Sequence, residues 1–131
     1  MYATGSEHEY QSPCRELLRR VTLGEIQAVT DAEVHQEIIY RYLSVGLPNR
    51  ARDVSADFEG IIPTVFPITL EHVRTARQLS LRYARLPARD LIHVAVMMNN
   101  GIESIVSADR HFDSVREVRR LDPIALAGAN A

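Results

Sequence analysis

The chain contains no tryptophan, no lysine and a single cysteine among its 131 residues. One thiol, Cys14, excludes an internal disulfide and a zinc site built from several thiolates. Aromatic residues make up only 6% of the chain, so composition assigns base stacking to no position. Missing too is any apolar run near the roughly 20 residues that a bilayer-spanning helix needs. The opening residues, Met1-Tyr2-Ala3-Thr4-Gly5-Ser6-Glu7, carry neither the basic flank nor the apolar stretch of a secretion signal. The expectation is a cytoplasmic protein with no membrane segment. Nor is there an excess of positive charge: 15 basic against 17 acidic residues leave a net charge of -2 and a pI near 6.2. A non-specific nucleic-acid binder usually carries a basic face, so charge alone argues against that partner. Every basic residue is arginine, for which coding bias is the simplest reading, although guanidinium forks also suit phosphate and carboxylate.

What is present is ordinary globular material. Hydrophobic residues make up 46% and charged residues 24%, with a mean hydropathy of -0.13. The length suits one domain over 1–131. Ser12 and Pro13 open a helix over 12–23, with Cys14, Leu17, Leu18 and Val21 at helical spacing before Gly24. Residues 26–29 read as a short strand. Thr30 with Glu33 three positions on reads as a capping box, opening a helix whose Val34, Ile38, Tyr42 and Val45 share one face. Leu47-Pro48-Asn49 breaks the chain before a helical piece through Val54, Phe58 and Ile61. Residues 65–68 read as an edge strand, because Pro67 cannot donate to a ladder, and Thr69 caps a helix through Val73, Ala76 and Tyr83.

From Ala88 to Asn99-Asn100-Gly101 the chain is apolar on nearly every side, as in a buried helix. A strand over 104–107, a short helix over 110–115 and a strand over 118–121 follow, then Asp122-Pro123 and a tail of small residues. Strands alternating with helices predict an α/β fold with a parallel sheet.

Against that background Asp90 is anomalous, because a carboxylate in the first turn of an apolar helix is expensive to bury without a partner or a cation. A helix-dipole role accounts equally well for an acid at that position. His93 lies one turn along on the same side, either as a core hydrogen-bond partner or orienting a metal-binding carboxylate. Asp109 stands two residues past the strand over 104–107, where open parallel sheets place their ligand crevice, and it also suits the cap of the short helix that follows. Asp113, four residues on, either faces the same way or is a solvated acid. Glu37 sits at the inner edge of its helix and is open to an ion pair with Arg41 or to a place in the same crevice. Carboxylates converging without a matching cation are the usual make-up of Mg2+ or Mn2+ sites.

The residues Arg89-Asp90-Leu91-Ile92-His93, Ser107-Ala108-Asp109-Arg110-His111-Phe112-Asp113 and Arg120-Leu121-Asp122-Pro123 together resemble the C-terminal half of a PIN domain, most of all the bacterial VapC-type toxin ribonucleases. The likeness extends upstream through 32–42 and so covers nearly the whole chain. It implies a three-layer α/β/α fold with a parallel sheet. It also implies that Glu37, Asp90 and Asp109 hold Mg2+ or Mn2+, which activates water to cut RNA. Ser107 matches the small hydroxyl position, Asp113 an outer helper, and His111 stands where many relatives carry an acid. The implied partners are RNA, an antitoxin protein and a second copy of the chain. The alternative is an impaired PIN-like module that binds antitoxin or RNA without cleavage. A third reading is a structural subunit whose acids form only ion pairs.

At the front, Met1-Tyr2-Ala3 resembles the tail of the family's opening Asp-Thr-Asn motif, and the central strand that should precede it, with its Asp, is missing. The expectation is a true start upstream of Met1. A lost central strand removes several buried aliphatic side chains worth about 1.5 to 3 kcal/mol each, against a domain stability of roughly 5 to 15 kcal/mol. Residues 1–131 alone are therefore expected to melt lower, and to cleave RNA more slowly, than an upstream-extended chain. Side-by-side thermal unfolding and Mg2+-dependent cleavage test this, and equal values would show that the front strand is dispensable.

Overall fold

The structure is a computed structural model that describes residues 9–129, so the Met1-Tyr2-Ala3 segment lies outside the described residues. Among the described residues six helices and four short strands follow in the order α1 (Gln11–Thr22), β1 (Thr30–Asp31), α2 (Ala32–Ser44), α3 (Pro48–Ile61), β2 (Val65–Phe66), α4 (Leu70–Arg82), α5 (Ala88–Asn99), β3 (Ser104–Val106), β4 (Arg119–Leu121) and α6 (Pro123–Gly128), with a 3-10 turn (Arg110–Ser114) between β3 and β4. The strands pair in parallel as predicted, but as two separate two-stranded sheets. In one, Thr30 lies opposite Val65 and Asp31 opposite Phe66. In the other, Ser104, Ile105 and Val106 face Arg119, Arg120 and Leu121. No helix among the described residues is long and apolar enough to cross a membrane.

Two apolar clusters hold the helices. Ile38 and Tyr42 of α2 bury against Ala51 of α3, flanked by Val34, Val54 and Phe58. The larger cluster joins Ala76 and Leu79 of α4 to Leu91, Val94 and Ala95 of α5, with Leu86, Phe112 and Val115. Leu79, Val94, Val96 and Val115 are almost wholly withdrawn from water, and each such side chain contributes about 1.5 to 3 kcal/mol. The helix from Ala88 is buried as its composition predicts, from Leu91 through Met97 apart from the half-buried Ile92. Gly101, at a φ of +68°, turns the chain from α5 toward β3 in a conformation that a side chain would strain.

Three expectations are corrected. The strand lies at Thr30–Asp31 instead of 26–29, and the N-cap of α2 is Asp31 instead of Thr30: Asp31 Oδ1 accepts the Val34 N–H at 3.0 Å. Thr30 is committed to the strand opposite Val65, which moves the cap one residue on. The tail of small residues is helix α6, capped by Asp122, whose Oδ2 accepts from Ile124 N–H and Ala125 N–H.

A helix of six residues cannot hold itself together in water. Arg20 of α1 supports it by donating to the carbonyls of Leu126, Ala127 and Ala129 at 3.3, 2.6 and 3.3 Å, while its Nε rests on Glu16 at 3.0 Å. The last turn of a helix leaves carbonyls short of donors, Leu126 here taking, among the described residues, the Ala129 N–H alone from the backbone, and a guanidinium also suits the negative end of the helix dipole. Arg20→Met is expected to lower the melting temperature by about 3 to 6 °C and to speed amide exchange in α6 alone. Unchanged exchange there would show that α6 docks without the clamp.

Candidate functional site

Asp90 enters the fold in the first turn of α5 and is 6% exposed. Its Oδ2 is buried with no hydrogen-bond partner. Burial pushes its pKa up, and the neighbouring Asp109 pushes it further, against the pull of His93 and Arg89. Asp109 follows β3 by way of Ser107, whose Oγ accepts the Asp109 N–H at 3.0 Å. Its own Oδ1 accepts the His111 N–H at 2.9 Å and so caps the 3-10 turn. That cap folds the His111 ring back until Nδ1 lies 3.0 Å from the same oxygen. One ligand atom each from Asp90, Asp109 and His111 then lies within 4.8 Å of the other two.

An orphaned buried carboxylate oxygen beside a second carboxylate is unfavourable twice, through desolvation and through repulsion. A divalent cation with oxygen ligands relieves both, so these residues fit such an ion.

Glu37 is held elsewhere. His93, one turn along α5 from Asp90, donates from Nδ1 to Asp31 Oδ2 at 2.7 Å and from Nε2 to Glu37 Oε1 at 2.9 Å. Both ring nitrogens face carboxylate oxygens, so the ring carries both protons as imidazolium. Burial alone would lower the His93 pKa, but the hydrogen bonds and charges of Asp31 and Glu37 outweigh it and push it up to about 10. Arg89 Nε approaches Glu37 at 3.9 Å. Glu37 is near enough to contribute to the raised pKa of Asp90, yet its contact is with His93 and not with the Asp90 and Asp109 pair.

Asp113 turns away as well, pairing with Arg120 of β4 at 2.8 Å. The β3 and β4 register brings Arg120 beside Ile105, where its guanidinium also donates to the Ser107 carbonyl at 3.0 Å. Of the predicted site residues, then, Asp90 and Asp109 come together with Ser107 beneath them, while Glu37 with His93 and Asp113 with Arg120 form adjoining pairs. Sequence reasoning passed over Asp31, and its signal was an acid in the capping position one residue after Thr30. A groove of about 570 Å³ runs from Glu37 and Arg89 along α2, past Gln36, Tyr40 and Arg41.

The raised pKa of His93 sets a pH window. A histidine that gains a proton affinity on folding adds stability that is fully present below about pH 6.5 and is lost as pH rises through about 10. Thermal unfolding from pH 6 to 10 is expected to show a decline that His93→Gln flattens, with the ring's NMR titration midpoint well above 7. A midpoint near 6.5 would show that the two carboxylates do not hold the proton.

Comparison with known proteins gives the family. Residues 1–118 match the PIN domain. The chain is 37% identical over 121 residues, 92% of each sequence, to VapC ribonuclease Mb1869c of Mycobacterium bovis and likewise to Ribonuclease VapC13 of Mycobacterium tuberculosis. It is 33% identical over 109 residues, 83% of this chain and 86% of the relative, to Ribonuclease VapC23 of Mycobacterium tuberculosis. No solved structure matches the chain. With a family match over residues 1–118 and relatives 37% identical over 92% of its length, the chain belongs to the PIN domain family.

Proposed function

We propose that the protein is the toxin of a toxin–antitoxin pair, an endoribonuclease that hydrolyses RNA phosphodiesters at a divalent-metal centre. The observation that carries this reading is the buried Asp90 carboxylate, with one oxygen unpartnered, set beside Asp109. The relatives named above are ribonucleases, which supports the same reaction class.

Asp90 and Asp109 would hold the ion. Bound there, Mg2+ or Mn2+ would supply positive charge against the phosphate and lower the pKa of water for attack on phosphorus. Ser107 fixes the Asp109 backbone. Glu37, which lines the groove and has one oxygen anchored by His93, would orient water and accept its proton. Arg89 and Arg41 put positive charge on the groove walls for flanking phosphates, and Tyr40, 68% exposed, offers a ring to a neighbouring base. Asp113 holds Arg120, which in turn steadies the Ser107 carbonyl.

The partners of this reading are RNA, an antitoxin protein and a second copy of the chain, in the cytoplasm. Ile39, Leu43, Val45 and Leu47 expose apolar surface along the end of α2 and its turn, which suits cover by protein. A second reading, a module that binds antitoxin or RNA without cutting, draws support from Glu37 lying outside the group formed by Asp90, Asp109 and His111.

Cleavage of single-stranded RNA by whichever form is active, residues 1–131 or the upstream-extended chain, is expected to need Mg2+ or Mn2+ and to stop in EDTA. Asp90→Asn is expected to cost upwards of about 100-fold in rate. The same change is expected to raise the metal-free melting temperature. The sign follows from the raised pKa: an acid whose ionised form the fold disfavours weakens the fold once pH exceeds its unfolded value, and the amide removes that penalty. Undiminished cleavage by Asp90→Asn would overturn the mechanism. RNA binding without cleavage by either form would establish the second reading.

A further inference from the structure

We propose that His111 is a nitrogen ligand to the ion held by Asp90 and Asp109, and that this mixed donor set makes the centre select a first-row transition ion such as Mn2+ over Mg2+. The proposal rests on the metal-centre reading above and goes beyond it in naming a ligand and a selectivity.

The placement of His111 is built into the backbone. Asp109 Oδ1 takes the His111 N–H at 2.9 Å, and this turn delivers Nδ1 to 3.0 Å from the same carboxylate oxygen. The His111 side chain is 64% exposed, so core packing does not explain its position. Nδ1 stands 3.0 Å from the Asp109 carboxylate as an ion-pair contact. With a cation bound, the same nitrogen presents its lone pair, because a neutral imidazole carries only one N–H. An independent observation points to a ligand at this place: Asp90 is 6% exposed, and its Oδ2 has no hydrogen-bond partner although its carboxylate belongs to the group.

The other histidine nearby is excluded from this role. His93 commits both ring nitrogens, one to Asp31 and one to Glu37. The two histidines thus do opposite work, His93 as a cation that neutralises two acids and His111 as a donor to a cation held by two others.

Oxygen donors alone suit Mg2+, which dehydrates reluctantly and prefers hard ligands. Exchanging one oxygen for imidazole favours ions that accept nitrogen, in the order that rises from Mn2+ through the later divalent metals. A carboxylate at position 111 would restore the all-oxygen set.

The test is isothermal titration of the full chain with MnCl2 and with MgCl2, alongside pulsed electron paramagnetic resonance of the Mn2+ complex. The variants are His111→Ala, His111→Asp and Asp90→Asn, with circular dichroism to confirm folding. The wild type is expected to bind Mn2+ at least about tenfold more tightly than Mg2+, and His111→Ala to lose about tenfold for Mn2+ with Mg2+ little changed. Spin-echo modulation from an imidazole nitrogen is expected in the wild type and absent in His111→Ala. His111→Asp should bind both ions with the preference narrowed toward Mg2+. If His111→Ala keeps the nitrogen modulation and the Mn2+ preference, the proposal is overturned and the carboxylate centre stands. If the wild type binds neither ion, or Asp90→Asn binds as well as the wild type, both fall together.

Discussion

The bridge from Asp31 through the His93 imidazolium to Glu37 is the interaction on which the arrangement of this protein turns. Its two apolar clusters are separate: one joins α2 and α3, the other α4, α5 and the 3-10 turn. His93 belongs to α5, and both of its partners belong to the β1 and α2 junction, so a charged contact crosses the gap between the clusters. Asp31 is engaged twice, since its other oxygen caps α2. Such a bridge is costly to assemble, but removing one partner leaves an uncompensated buried charge, typically a loss of about 3 to 5 kcal/mol. Geometry between the two halves is therefore specified by hydrogen-bond direction as well as by packing.

The same bridge sorts the acids. Glu37 and Asp109 both act against the ionised form of Asp90, and a single histidine answers Asp31 and Glu37. Asp90 and Asp109 share no bridging imidazolium of that kind, and Asp90, with one oxygen unpartnered, holds its ionised form at a disadvantage despite the pull of His93 and Arg89. The fold thus divides a cluster of like charges into a part settled by the protein and a part that, on the proposed function, an ion from solution would settle.

Local pattern disclosed the elements best where the signal lies in a short stretch of sequence. The unbroken apolar run of α5 and the Thr69 cap of α4 each appear in the structure where spacing puts a feature. The errors came where a distant partner decides. Thr and Asp both make good N-caps, and the pairing of Thr30 with Val65 settles the choice between residues 30 and 31. α6 is too short for periodicity to show, and its support comes from Arg20 at the other end of the chain. The residue types of the site were legible, but their pairing was not: helical spacing puts Glu37 at the inner edge of α2 without saying that His93 waits there, and only the β3 and β4 register brings Arg120 to Asp113.

Arg120 gives a structural meaning to the missing lysines. Its planar head is a three-way junction: Asp113 in the 3-10 turn, the Ser107 carbonyl after β3, and Asp122, which starts α6, at 3.4 Å. Those acceptors lie in different directions, and a guanidinium meets them with donors fixed in one plane. A lysine ammonium would keep the charge and lose the spread, because a single nitrogen cannot stand at several such positions at once. An arginine-to-lysine exchange at this junction therefore counts as a change of shape, and it would loosen the loop that carries Asp109 together with the start of the last helix.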